Sequence, residues 1–229
     1  MMTARTLAIV ALGIVLSSSP LLGQDKSRYR DFQLGGNLPS ISALAGVAVS
    51  EAKTIHQRPA LMQELQWQRP YVSSSATPET DPVKQITFSF YNDQLSSMIV
   101  DYDRDRTSGL TDADLIEAIS AEYGPRLKTI ARTGRVISHV EEESGTAVAR
   151  WGDAEYSVVL YRSSYASGFR MIVASPRLEA LARTSEAQAL RLDDQEAPRR
   201  ELERQKKEAA DTRTAQEKAR VVNKAAFRP

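Results

Sequence analysis

The sequence predicts an α+β protein: an antiparallel sheet with helices packed on one face, plus a protruding charged C-terminal helix. Three observations carry this. Apolar and polar residues alternate over 86–90, 95–102, 156–162 and 169–174, the period of half-buried strands. The stretch 111–124 carries both a start and a stop signal for a helix. From 196 to 220 the chain is dominated by Arg, Lys, Glu, Ala and Gln, with no apolar stripe to bury.

Taken in order, Gly35-Gly36-Asn37 marks a loop, and Pro39 fits the first turn of a short helix. Ile41, Leu44 and Ala45 share one face of that helix, and Gly46 stops it. Residues 53–56 read as a short strand closed by Arg58-Pro59, and 61–67 as a second. The Ser, Thr and Pro content of 73–82 reads as an exposed loop. Ile86, Phe88 and Phe90 line one face of a strand, Asn92-Asp93 turns it, and Met98, Val100 and Tyr102 line the return strand.

Thr111 is placed as a helix N-cap with Asp114 at the capping-box position, and Leu110 and Leu115 are spaced as a hydrophobic staple. Leu115, Ala118 and Ile119 form the expected buried stripe. Gly124 supplies a left-handed stop and Pro125 prevents continuation. Strands at 146–151, 156–162 and 169–174, the first two joined by a Gly152-Asp153 turn, make a meander. Ser175 and Pro176 open a packing helix at 176–195, with Leu178, Leu181, Ala182 and Ala189 near helical spacing. The remainder, 196–229, is a charged helical or partly disordered tail. Glu203 and Lys207 form an i,i+4 pair there. Leu202 is almost the only large apolar residue, and no a/d heptad is sustained, so a stable coiled coil is not expected.

The N-terminus reads as a signal peptide at 1–23. Arg5 is its only charge, residues 7–16 are an apolar core, and Ser17 to Pro20 break it. Cleavage after Gly23 leaves Gln24 first. A membrane span needs about 20 apolar residues, and the core is half that, so no span remains in the mature chain. The expected location is periplasmic or secreted.

Composition removes several functions. The formal net charge is +1, and without Arg5 the acids and bases balance. That argues against broad capture of nucleic acid or anionic membrane. There are no cysteines, hence no disulfide, thiolate metal site, cysteine nucleophile or lipoprotein anchor.

Asp101, Asp103 and Asp105 alternate as at the start of a calcium loop and are the metal candidates. The pattern then departs: Arg106 replaces the turn glycine, and Asp112 is too short to close the site. His56 and His139 show no ligand spacing, and no G-x-S-x-G elbow is present. Glu141, Glu142 and Glu143 read as an acidic turn before a strand. Trp67, Trp151, Tyr156 and Tyr161 read as core rather than a stacking platform. No cofactor is expected. At the end of the tail, Val221, Val222, Lys224, Phe227 and Arg228 form a small apolar and basic motif suited to docking a partner, which is the candidate binding site.

Leu34-Gly35 before a helix ending at Gly46, the F-x-F-Y-N-D-x-L hairpin from Phe88 to Leu95, Tyr123-Gly124-Pro125 and Trp151-Gly152-Asp153 together resemble exported bacterial proteins with a BamE/SmpA-like envelope domain. The likeness covers residues 30–175 and implies a non-catalytic scaffold or interaction role. The expected function is therefore an exported protein-interaction or scaffold module of the cell envelope. The alternative is a small ligand-binding domain or hydrolase whose site is assembled in space.

Overall fold

The computed structural model describes residues 26–69, 81–128, 144–163, 168–226 and 228. The leader, most of the 73–82 loop, His139 and Glu141 to Glu143 lie outside them. The described chain is α+β. A two-stranded hairpin, β1 (Arg28–Tyr29) and β2 (Phe32–Gln33), precedes helix α1 (Leu38–Ala45) and a 3-10 turn at Val49–Glu51. Four strands follow: β3 (Lys53–His56), β4 (Met62–Gln68), β5 (Val83–Tyr91) and β6 (Gln94–Tyr102). Then come α2 (Asp112–Tyr123), β7 (Thr146–Gly152), β8 (Ser157–Arg162), β9 (Phe169–Ala174) and α3 (Pro176–Ala226).

Strands β3 to β9 form one antiparallel sheet in the order β3-β4-β5-β6-β9-β8-β7. Each boundary has a local cause. Asn92 and Asp93 hold φ of 46° and 63°, the left-handed pair of the two-residue turn that matches strand twist. Their side chains also organise neighbours: Asn92 accepts from the Leu61 N–H at 3.0 Å and Asp93 from the Leu38 N–H at 3.0 Å. Thr111 caps α2 with a reciprocal capping box to Asp114. Gly124 ends α2 at φ 85°, ψ −165°. This is not the left-handed helical conformation the sequence predicts but a more extended region essentially reserved for glycine.

Alternation along the strands separates two faces. One carries the main core. Across it run two rows of paired residues. The first is Leu65, Phe88, Met98, Val173, Val158 and Trp151; the second is Trp67, Ile86, Val100, Met171, Leu160 and Ala149. Helices α1 and α2 and the β1-β2 hairpin cover this face. Phe32 meets Phe88 edge-on at 4.7 Å. Leu38, Ile41, Ile119 and Tyr123 are the buried helix positions. Leu44 is 56% exposed and Ala118 is exposed, so the buried stripes differ from the predicted ones. Ser42, whose hydroxyl donates to the Val47 carbonyl, and Tyr123, whose hydroxyl donates to the Arg28 carbonyl of the hairpin, take those places.

The two rows are related. Read backwards, the second row is Ala149, Leu160, Met171, Val100, Ile86, Trp67, which superposes on the first with Met on Met, Val on Val and Trp on Trp. Its centre is the β6-β9 pairing, where Ile99 faces Ile172. The sheet is thus a pseudo-two-fold pair of helix-plus-three-strand units, α1-β4-β5-β6 and α2-β7-β8-β9, with β3 as an added edge strand.

On the opposite face, Val159, Tyr161, Ile172 and Ala174 form a second apolar cluster with Ile99 against it. The first part of α3 lies over this face. Ser89, Ser97, Ala174 and Ser157 are a cross-strand row of small residues there, which lets the helix approach. Leu178, Ser185 and Ala189 are the buried positions of α3.

Candidate functional site

The three aspartates are not brought together. Asp101 is bound by Arg170, whose Nε and Nη2 donate to it at 2.6 and 3.2 Å. Asp103 accepts from the Asp105 N–H at 2.9 Å and pairs with Arg69 at 3.4 Å. It organises the turn before α2 instead of waiting for an ion. Among the described residues no group of three His, Cys, Asp or Glu is placed to hold a metal.

Trp151, Tyr156 and Tyr161 are buried and Trp67 packs half-buried against the core. His56 sits on β3 at the sheet edge. Between α3 and the sheet runs a groove of about 180 Å³, floored by Ser89, Ser97 and Val159 and lipped by Glu179, Arg183 and Glu186. It is smaller than the roughly 300–1,000 Å³ usual for small-molecule sites, and among the described residues no histidine lines it.

A polar cluster closes one end of the sheet. Arg30 grips Asp81 through two hydrogen bonds of 2.8 and 2.6 Å. Arg69 donates to the carbonyls of Asp81 and Val83. Tyr29 and Tyr102 share a hydrogen bond, and Tyr123 donates to the Arg28 carbonyl at 2.7 Å. Burial pushes the Tyr29, Tyr102 and Tyr123 hydroxyls up, so they stay neutral donors. The paired Arg30 holds Asp81 below the usual carboxylate range, and the Val83 N–H adds to this. The charges of the cluster balance, and it joins the β1-β2 hairpin to the end of β4 and the start of β5, with the Arg69 Nε buried and without a hydrogen-bond partner among the described residues.

Its pH signature follows. A lowered folded pKa gives stability that is present above the unfolded value near 4 and lost as pH falls through the folded value. Asp81→Asn is expected to cost about 1–2 kcal/mol at neutral pH. In urea melts the gap to the parent chain narrows as pH drops below about 4. A gap that is constant with pH would remove the Asp81 carboxylate from this role.

The remaining feature is α3 itself, 51 residues in one helix. Its docked part runs to Glu196, which receives a 2.9 Å hydrogen bond from Arg58 beside the β3-β4 turn. Arg58 holds the Glu196 carboxyl below its ordinary range. Pro198 follows inside the helix and removes one backbone donor there. From 197 to 226 every residue is exposed. At 1.5 Å per residue that arm extends about 45 Å. It is stabilised by composition and by ion pairs such as Arg199–Glu203 and Arg204 with both Glu201 and Glu208.

The predicted docking motif sits at the tip. Val221 and Val222 are 71% and 66% exposed, and Lys224 and Arg228 are exposed. Phe227 lies outside the described residues. Consecutive Val221 and Val222 point about 100° apart on the helix, so the motif does not form one face. The root of the arm, Arg58 with Glu196, escapes the sequence: nothing local links residues 138 positions apart.

Fold and site define the class: a pseudo-two-fold α+β domain carrying a long helical arm. No family model, curated protein or solved structure matches the chain.

Proposed function

We propose that the chain is an exported, non-catalytic interaction module that presents its helical arm to another protein in the cell envelope. The arm carries this reading. Thirty residues of helix, clear of the domain that anchors them, add nothing to the core and are shaped for contact. The signal-peptide layout of residues 1–23 supports export, and the BamE/SmpA resemblance supports an envelope role. The described residues contain no helix long and apolar enough to cross a membrane.

The test compares two baits in envelope extract, the full chain and a chain ending at Ala197, which retains the Arg58–Glu196 contact. A partner recovered with the first and absent from the second is expected. Identical partner lists would remove the arm from function. The mature protein purified from the same cells is expected to begin at Gln24, read from its intact mass; a retained leader would count against export by cleavage.

A further inference from the structure

The arm carries a seam. Take the positions from Leu202 to Asn223 in steps of seven, and from Gln205 to Ala226 in steps of seven. Together they alternate three and four residues apart along one side of the helix, the a and d positions of a heptad. All eight are uncharged, although eleven of the twenty-five residues from 202 to 226 carry charge. The heptad is written in the absence of charge, with Ala or Thr at four of the eight positions and Leu202 the one large apolar residue, so a search for an apolar repeat passes over it.

The flanks of this seam are sorted by sign. On the side preceding each a position stand Glu201 and Glu208; on the side following each d position stand Lys206 and Arg213. In a parallel pair of helices the first set faces the second set of the partner five residues on. Glu201 then meets Lys206 of another copy, and Glu208 meets Arg213. An antiparallel pair would set bases against bases. Arg204 already holds both glutamates within its own chain, which keeps them ordered at the edge of the seam. The seam also lies on the side of α3 opposite Leu178, Ser185 and Ala189, which dock on the sheet. A second helix therefore reaches it without meeting the domain.

We infer that the arm pairs with the arm of a second copy of this chain, in parallel and in register, through this charge-free seam. Gln216 and Asn223, polar residues at a positions, favour one register, and a seam with a single large apolar residue makes the association weak and concentration-dependent. The inference rests on reading the arm as an interaction element and names the partner.

The test uses the full mature chain in sedimentation equilibrium. The mass is expected to double as concentration rises through the micromolar range. Glu201→Lys with Glu208→Lys, and separately Lys206→Glu with Arg213→Glu, each weaken association at least about tenfold; mixing the two restores a pair. The chain has no cysteine, so Ala219→Cys under mild oxidation reports geometry directly. A disulfide-linked dimer is expected, because only parallel in-register helices bring the two residues within the roughly 4.4–6.8 Å a disulfide needs. A chain of single mass at every concentration, or association that ignores both charge variants, overturns the inference. If the pull-down still shows an arm-dependent partner of another kind, self-pairing alone has failed; if neither appears, the arm reading fails with it.

Discussion

Trp151→Ala is expected to cost about 3–5 kcal/mol, the usual loss for a fully buried aromatic. The side chain is 1% exposed and ends one of the two core rows. Its indole N–H donates to the Ser120 hydroxyl at 3.1 Å, so it ties β7 to α2. A small domain has roughly 5–15 kcal/mol in total, and the variant would stand near the edge of folding. The pseudo-two-fold axis supplies the control. Trp67 occupies the equivalent position but is only partly buried. Its alanine variant is expected to lose about half as much. Urea midpoints at constant slope measure both. Equal losses would mean that the two halves are equally packed, against the exposures seen here.

Gly152→Ala is the second large effect. Gly152 holds φ of 130° at the end of β7, and a Cβ there would stand 2.2 Å from the Tyr156 carbonyl oxygen and 2.9 Å from the Ser157 Cα. Both are backbone atoms of the paired strand and cannot swing aside. Strain and clash together are expected to cost at least about 3 kcal/mol. The β7-β8 hairpin must open at its turn to relieve them. Amide exchange should show this as lost protection in β7 and β8 ahead of β5 and β6. Unchanged protection and stability would mean that the turn has another conformation than the one described.

Much of this was legible from local patterns. The β5-β6 hairpin was, because a strand alternates with period two and Asn-Asp takes positive φ at little cost. So was α2, whose cap chemistry is written within four residues. The candidate sites were less so. Asp101 and Asp103 were weak calcium candidates in the sequence, and the arginines that pair with them, Arg170 on β9 and Arg69 after β4, are distant along the chain and not readable from it. The docking motif at Val221 and Val222 read as one patch in sequence and splits around the helix in space.

The internal repeat shows where the boundary falls. Trp67 and Trp151 are 84 residues apart, while Met98 and Met171 are 73 apart, so no fixed period exists to find. The equivalence lies in strand pairing, which depends on contacts distant along the chain. Local pattern was enough for the strands of the main sheet, for the starts of α1 and α2, for the exclusion of cysteine chemistry and for the charged character of the tail, but not for the short β1-β2 hairpin or the conformation of Gly124. The strand order, the two-fold core and the side of α3 that meets the sheet come from contacts between distant segments. That last choice decides which side of the arm stays open, and it is made by packing: Leu178, Ser185 and Ala189 fit over a row of small residues that four strands assemble together.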